Sequence, residues 1–138
     1  MGNSESAIKK ANFDDIINIS KDSSKNTHIL INVMEKEDQA LLIKSTLSIN
    51  EEIEKVNSLL SFRKMDVNIV IYGKNTDDVS KVIKRYRQLC DMGFSNVHVY
   101  LGGLFEWLLL QEIYGNDEIK TNIVCNKNIL DYKPARGM

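Results

Sequence analysis

The segment that decides the fold runs from Val67 to Trp107 and reads VNIVIYGKNTDDVSKVIKRYRQLCDMGFSNVHVYLGGLFEW. It opens with a β-branched apolar run, 67–72, of the kind that forms a buried strand. After a polar loop at 73–78, apolar residues recur at helical spacing as far as Cys90. A second strand-like run, 97–101, then leads through two glycines into an apolar helix that we expect to be deeply packed.

The sequence before this segment continues the alternation of helices and strands. Asn12 is placed to cap a short helix, and the apolar run 28–33 predicts a second buried strand. We expect a shorter strand at 46–49 and then a helix capped by Asn50. Strands that alternate with helices over short connections predict an α/β fold with a mostly parallel central sheet and helices on both faces.

The length and composition fit one domain. The chain has 138 residues, of which 43% are hydrophobic and 27% are charged, as is ordinary for a globular protein. We place a flexible leader at 1–11, the domain at 12–115, and a C-terminal tail at 116–138 that packs on the domain or extends from it. The net charge of -1 lacks the basic excess of nucleic-acid-binding proteins, so no nucleic-acid partner is expected.

The order of motifs from Val67 to Trp107 resembles the second half of a rhodanese domain. That family has a strand ending in an aromatic residue before its active-site loop, as Ile69-Val-Ile-Tyr72 does here. Its Leu-x-x-x-Gly-Phe-x-x-Val stretch is matched by residues 89–97. A strand, a Gly-Gly pair and a Trp follow in the family, and here they are matched by 99–107.

The first half of the domain is similar to the family in fewer positions. Leu30-Ile-Asn-Val33 resembles the Leu-Ile-Asp-Val-Arg strand, with Asn32 in place of Asp and Met34 in place of Arg. The His-Ile-x-Gly-Ala motif would fall near 42–46, where its His and Gly are missing. The resemblance covers about residues 12–114 and implies a rhodanese-like fold.

The loop after the second strand departs from the family at its catalytic position. Active rhodaneses carry a cysteine there, whose thiolate attacks a sulfur donor and becomes a persulfide held by backbone N–H groups. Glycine has no side chain to react. The loop, which we interpret as a degenerate active site without catalytic residues, consists of Gly73, Lys74, Asn75, Thr76, Asp77 and Asp78.

The acidic end of this loop changes its expected electrostatics. The resemblance places a basic residue where this chain has Asp78. We expect Asp77 and Asp78 to satisfy the free N–H groups in the first turn of the next helix and to repel an incoming anion. Lys74 supplies one opposing charge.

The remaining reactive side chains carry no recognisable motif. Cys90 is in register with the apolar face of its helix, so we expect it to be buried. Cys125 lies in the polar tail without an activating neighbour. His28 and His98 fall in predicted strands, where structural roles are expected. We therefore predict no metal site and no cofactor.

The first residues, Met1-Gly2-Asn3-Ser4-Glu5-Ser6, match the pattern for N-myristoylation. The pattern predicts that Gly2 is acylated in a cell that has the transferase. A single myristoyl chain gives only marginal, reversible membrane binding. We expect a cytoplasmic protein that associates peripherally with a membrane through this group.

These observations favour an inactive rhodanese-like module that binds an unidentified protein partner in a regulatory role. The alternative is an active sulfurtransferase or a phosphatase-like enzyme with a non-standard nucleophile, which would need a reactive group near Gly73. A third reading, a purely structural or assembly protein, would show a large exposed apolar patch.

Overall fold

The computed structural model describes residues 8–21, 27–123 and 129–135. The helices and strands occur in the order α1 Phe13–Lys21, β1 His28–Asn32, α2 Ile49–Ser61, β2 Asn68–Tyr72, α3 Val79–Asp91, β3 Val97–Tyr100 and α4 Gly103–Tyr114. Short 3₁₀ turns lie at Lys36–Asp38, Thr76–Asp78 and Ile129–Tyr132. None of the helices in these ranges is long and apolar enough to cross a membrane.

The three strands form a parallel sheet in the order β1, β2, β3. The register pairs Ile31 with Ile71, and Ile71 with Val99. All three strands are buried on both faces along most of their length, which explains why their sequences are nearly continuous apolar runs. The predicted parallel α/β arrangement is confirmed.

Helices cover both faces of the sheet. On one face, Ile16 of α1 and Trp107 of α4 pack in the same cluster as Leu30 of β1. On the other face, Val56 of α2 and Val82 of α3 pack in the same cluster as Ile31, Ile71 and Val99 of the three strands. The alternation of side chains along each strand divides the core into these two layers.

The outer edge of β3 is paired with the chain just before α1. Val99 N–H donates to Lys9 O at 2.9 Å, and Ala11 N–H donates to Val99 O at 2.8 Å. Lys10 forms an isolated parallel bridge with Val99. This short pairing gives the backbone groups at that edge a partner within the chain.

The expected strand at 46–49 is wrong. Thr46 makes only an isolated bridge with Leu30, and α2 begins at Ile49. Ser48 caps α2 instead of Asn50, because its hydroxyl accepts from Glu51 N–H while the Glu51 carboxylate accepts from Ser48 N–H. This reciprocal capping box starts the helix at the residues where a strand was expected.

Two expectations about helix packing are also wrong. Cys90 is exposed because α3 buries Val82, Tyr86 and Leu89, and Cys90 lies about 100° around the helix from Leu89. The apolar helix α4 is packed on one side only. It buries Leu104, Trp107 and Leu108, and its exposed apolar side chains are Leu109, Ile113 and Tyr114.

Candidate functional site

The degenerate loop lies at the edge of the sheet where the parallel strands end. Gly73 follows β2 directly and is buried. Its carbonyl accepts from Leu104 N–H at 3.0 Å, and the Lys74 carbonyl accepts from Phe105 N–H at 2.8 Å. Because the first N–H groups of a helix have no partner inside it, these loop carbonyls satisfy the N-terminus of α4.

The close contact between loop and helix requires the second residue of the Gly-Gly pair to be glycine. Gly103 has a φ of 68°, a conformation that residues with a side chain rarely adopt. A Cβ there would lie 2.5 Å from the Gly73 carbonyl oxygen. Gly103 therefore allows the loop backbone to rest against the start of α4.

The Asp78 side chain occupies the space next to Gly73. Its Oδ2 accepts from Lys74 N–H at 2.7 Å. A Cβ built on Gly73 would lie 2.4 Å from Asp78 Cβ and 2.8 Å from Asp78 Oδ2. The Asp78 carboxylate therefore fills the space into which a side chain at position 73 would project.

The expectation that Asp77 and Asp78 cap the helix after the loop is wrong. The Asp78 side chain makes no cap to α3, because it turns back to Lys74 N–H. Asp77 Oδ2 accepts from Ala135 N–H at 2.7 Å. Asn75 provides the local cap, since its Oδ1 accepts from Asp77 N–H at 2.8 Å at the start of the 3₁₀ turn.

Two lysines lie close to the carboxylates in and around the loop. Lys74 Nζ lies 3.8 Å from Asp38 Oδ1 and 5.4 Å from the centre of the Tyr132 ring. Lys81 Nζ lies 4.0 Å from Asp78 Oδ1 and also hydrogen-bonds Glu35. The Lys81 ammonium lowers the pKa of the Glu35 carboxyl. The same hydrogen bond raises the pKa of Lys81.

The C-terminal segment 129–135 lies against the loop. Asn75 Nδ2 donates to Tyr132 O at 2.7 Å, and both residues are buried, with exposures of 6% and 4%. The bond from Ala135 N–H to Asp77 adds a second attachment. Sequence reasoning missed this contact because its partners are distant in the chain, and no pattern around Asn75 indicates a link to the tail.

The strand-end tyrosines beside the loop are held in their neutral form. The Tyr72 hydroxyl lies 2.7 Å from Thr46 Oγ1 and accepts from Ile43 N–H at 3.2 Å. Burial raises the pKa of Tyr72 far above its ordinary value. Burial and then the hydrogen bond from Tyr100 to Glu106 raise the pKa of Tyr100 in the same direction. Neither hydroxyl is activated as a nucleophile.

Asn32 occupies the position where the family resemblance placed an aspartate. Its Oδ1 accepts from Met34 N–H at 3.0 Å and from Gln39 Nε2 at 2.7 Å. These bonds hold the turn after β1 with a neutral side chain. Asn32 therefore has a structural role in this chain and adds no charge beside the loop.

The other sequence candidates are not brought to the loop. Cys90 is eleven residues beyond the start of α3, so about 16 Å of helix separates it from the loop end. His28 and His98 lie toward the opposite edge of the sheet. Gly2 and Cys125 lie outside the described residues. In the described ranges, no three His, Cys, Asp or Glu side chains come together as a metal site.

No protein-family profile matches the chain, and no curated protein matches it in sequence. Solved structures match it in fold. The Saccharomyces cerevisiae single domain sulfurtransferase RDL2 is 21% identical with a TM-score of 0.51, over 82% of this chain and 95% of RDL2. The Alr3790 protein from Anabaena sp. is 16% identical with a TM-score of 0.53, over 72% of this chain and 86% of Alr3790.

A structure described as the rhodanese-like domain of Alr3790 is 17% identical with a TM-score of 0.49, over 78% of this chain and 92% of the domain. By its match to RDL2, the chain has a rhodanese-like fold. That match confirms, at the level of the fold, the resemblance seen in the order of its motifs. At these identities the similarity concerns the rhodanese-like fold, and the chemistry has to be argued from the loop itself.

Proposed function

We propose that the chain is a catalytically inactive rhodanese-like module that binds another protein. The observation that carries this proposal is the position of Asp78, whose Cβ would lie 2.4 Å from a Cβ of residue 73. A catalytic side chain at that position would have to displace Asp78. Gly73 and Asp78 therefore form a mutually compatible pair that leaves no room for a nucleophile.

The Asp78 carboxylate also makes sulfur transfer at this loop unfavourable. A persulfide anion in an active rhodanese-like loop is held by backbone N–H groups, as at other helix N-termini. Here the Lys74 N–H already donates to Asp78 Oδ2 at 2.7 Å. An incoming anion would compete with a negative charge that is attached to the loop itself.

No thiol in the described ranges supports the enzymatic alternative. Cys90 is the free cysteine of these ranges, and it lies near the C-terminal end of α3. The segment 129–135 adds a second obstacle, because its bonds to Asn75 and Asp77 place it against the loop. We therefore favour a binding role over an enzymatic one.

The surface of α4 supports a protein partner. Leu109, Ile113 and Tyr114 are exposed near the end of this helix, and Leu130 is exposed on the neighbouring 3₁₀ turn. The helix and the turn pack against each other. Exposed apolar groups on adjacent elements are typical of sites that bind proteins. We propose this surface, defined by these four residues, as the partner-binding surface.

A matched pair of isoleucines tests the partner-binding surface. Ile113 on α4 is 69% exposed, and Ile53 on α2 is 55% exposed on a different helix. The intact chain should capture a protein from a lysate of its source cells. Ile113→Ser should weaken that capture at least tenfold, while Ile53→Ser leaves it unchanged. Equal capture by both variants would contradict the assignment of the surface.

We also propose that Gly2 is N-myristoylated and tethers the module reversibly to a membrane. The start Met-Gly-Asn-Ser-Glu-Ser supports this proposal. A single acyl chain binds a bilayer weakly, so the protein partner would add the second attachment.

A further inference from the structure

The loop at 73–78 already holds a peptide segment, which belongs to the chain itself. A 3₁₀ turn from Ile129 to Tyr132 opens the C-terminal segment 129–135. Residues three apart on such a turn lie on the same side. Both ends of the turn accordingly pack against the core cluster that includes α4, while Lys133 is exposed. The segment thus meets the domain through two anchor side chains.

The Tyr132 side chain is the larger anchor. It is only 4% exposed and belongs to the same core cluster as Leu104 and Leu108 of α4. Lys74 Nζ lies 5.4 Å from the centre of its ring, within the distance at which a cation attracts the face of an aromatic ring. An apolar site with a cation beside it favours an aromatic side chain over an aliphatic one.

Two side chains of the loop bind the main chain of the segment. Asn75 Nδ2 donates to Tyr132 O at 2.7 Å, and Asp77 Oδ2 accepts from Ala135 N–H at 2.7 Å. Because both bonds involve backbone groups, a segment of another sequence could make them as well. In peptide recognition, main-chain bonds of this kind supply affinity, and side-chain pockets supply specificity.

Removal of the segment would leave polar groups of the loop without these partners. Asn75 Oδ1 already accepts from Asp77 N–H at 2.8 Å, so the Nδ2 group is the part of this side chain that faces the segment. Polar groups that lose a partner at a largely buried position are unfavourable. A peptide that offers a carbonyl and an N–H at the same spacing would restore both bonds.

We propose that the loop and the start of α4 form a peptide-recognition site, which the chain's own segment 129–135 occupies until a partner displaces it. The peptide carries an apolar residue, an aromatic residue three positions later, and a backbone N–H three positions beyond that. This proposal rests on the binding role proposed above and names the class of segment that is bound. Leu130 of the partner-binding surface belongs to the same segment, so the two sites adjoin.

The probe is the peptide Ile-Leu-Asp-Tyr-Lys-Pro-Ala, which copies residues 129–135 and carries a fluorophore at its N-terminus. Fluorescence anisotropy measures its binding to the full chain. A segment attached to its own site has an effective concentration on the order of millimolar, so the wild type should leave micromolar peptide unbound. Tyr132→Ala removes the aromatic anchor of the attached segment. This variant should bind the peptide at least roughly tenfold more tightly than the wild type does.

Matched controls separate recognition from nonspecific adhesion. A peptide with alanine in place of its tyrosine should bind Tyr132→Ala at least roughly tenfold more weakly, because it lacks the aromatic anchor. Lys133→Ala changes an exposed residue of the same segment and should bind the original peptide as poorly as the wild type does. Asn75→Asp keeps an acceptor for Asp77 N–H but has no hydrogen to donate, so adding it to Tyr132→Ala should abolish tight binding.

Ala135→Pro loosens the segment in a second way and serves if Tyr132→Ala fails to fold, as thermal unfolding followed by circular dichroism would show. Proline has no N–H to donate to Asp77, and the Tyr132 anchor is unchanged. Loss of this bond should let the variant bind the peptide at least roughly fivefold more tightly than the wild type does.

Saturable binding that requires both a loosened segment and the tyrosine of the peptide supports the site. Equal affinity of the wild type and the loosened variants overturns it, because the attached segment would then not compete with the peptide. Binding that does not depend on the tyrosine of the peptide also overturns it. A dimer of the wild type that excess peptide dissociates would assign the segment to a second copy and overturn exchange with a different partner. Failure of the binding role itself would show separately, as no capture of a protein by the intact chain.

Discussion

Asp78 and a side chain at position 73 would occupy the same space. A Cβ added to Gly73 would lie 2.4 Å from Asp78 Cβ, which is shorter than any stable contact between two non-bonded carbon atoms. The position of the Asp78 side chain therefore requires glycine at position 73. This coupling can be measured.

Gly73→Ala should destabilise the fold by about 1–3 kcal/mol, because the added methyl group overpacks a buried position. In the background of Asp78→Gly, which removes the opposing Cβ, the same change should cost less than about 1 kcal/mol. Urea denaturation of the four proteins in this cycle measures the coupling. Asp77→Gly is the control background, in which Gly73→Ala should destabilise the fold as much as it does in the wild type. Additive effects of Gly73→Ala and Asp78→Gly would show that the two positions do not compete.

The wild-type chain should transfer no sulfur from thiosulfate to cyanide above a blank reaction. Gly73→Cys should add little, because the thiol would meet Asp78 and its charge. Asp78→Arg reverses the charge but keeps the Cβ that blocks residue 73. Gly73→Cys with Asp78→Gly should therefore be more active than Gly73→Cys with Asp78→Arg. Thiocyanate formation is the measurement. Turnover by the wild type that disappears in Cys90→Ser or Cys125→Ser would make the chain an enzyme.

Asn75→Ala should destabilise the chain by about 1–3 kcal/mol, because it leaves Tyr132 O without this buried donor and Asp77 N–H without its cap. Hydrogen exchange at the Ala135 amide should become faster as the C-terminal segment detaches. Asn116→Ala, at an exposed turn, is the control and should change stability by less than about 0.5 kcal/mol. Unchanged exchange at Ala135 in Asn75→Ala would mean that the segment is held by other contacts.

Alkaline pH should destabilise the fold through its buried tyrosines. Burial raises the folded-state pKa of Tyr72 and Tyr100 above the unfolded value near 10. Their neutral forms therefore contribute stability that is complete below about pH 10 and is lost as the pH rises further. In an absorbance titration at tyrosinate wavelengths, both should ionise only as the chain unfolds. Ionisation of either tyrosine before the chain unfolds would contradict this assignment.

Coexpression with a eukaryotic myristoyltransferase should add one myristoyl group to the wild-type chain and none to Gly2→Ala. Intact-mass spectrometry detects the difference directly. The acylated chain should bind lipid vesicles weakly and reversibly. An unmodified wild-type chain under these conditions would refute the lipid tether.

Most of the fold could be predicted because local patterns determine it. The apolar runs at 28–33 and 67–72 became parallel strands, and the glycine pair before α4 is explained by the close approach of the loop to Gly103. The failures have local causes too. The Ser48 capping box started a helix where a strand was expected, and the angular offset from Leu89 exposed Cys90.

The arrangement of the loop was harder to predict because it depends on contacts between distant residues. The sequence identified Gly73 and Asp78 as departures from the rhodanese pattern. It did not indicate that Asp78 would turn back to Lys74 or that Asn75 would hold Tyr132. A polar side chain in a loop has several potential partners, and only the packed chain determines which one it meets.

The pairing of Lys9 and Ala11 with Val99 has a consequence for solubility. An unpaired edge of a β-sheet is a template on which another chain can add a strand, and proteins that expose one tend to aggregate. The bonds of Val99 to these two residues occupy part of the outer edge of β3. A chain shortened to begin after residue 11 would leave that edge open, so the residues before α1 help to keep neighbouring molecules apart.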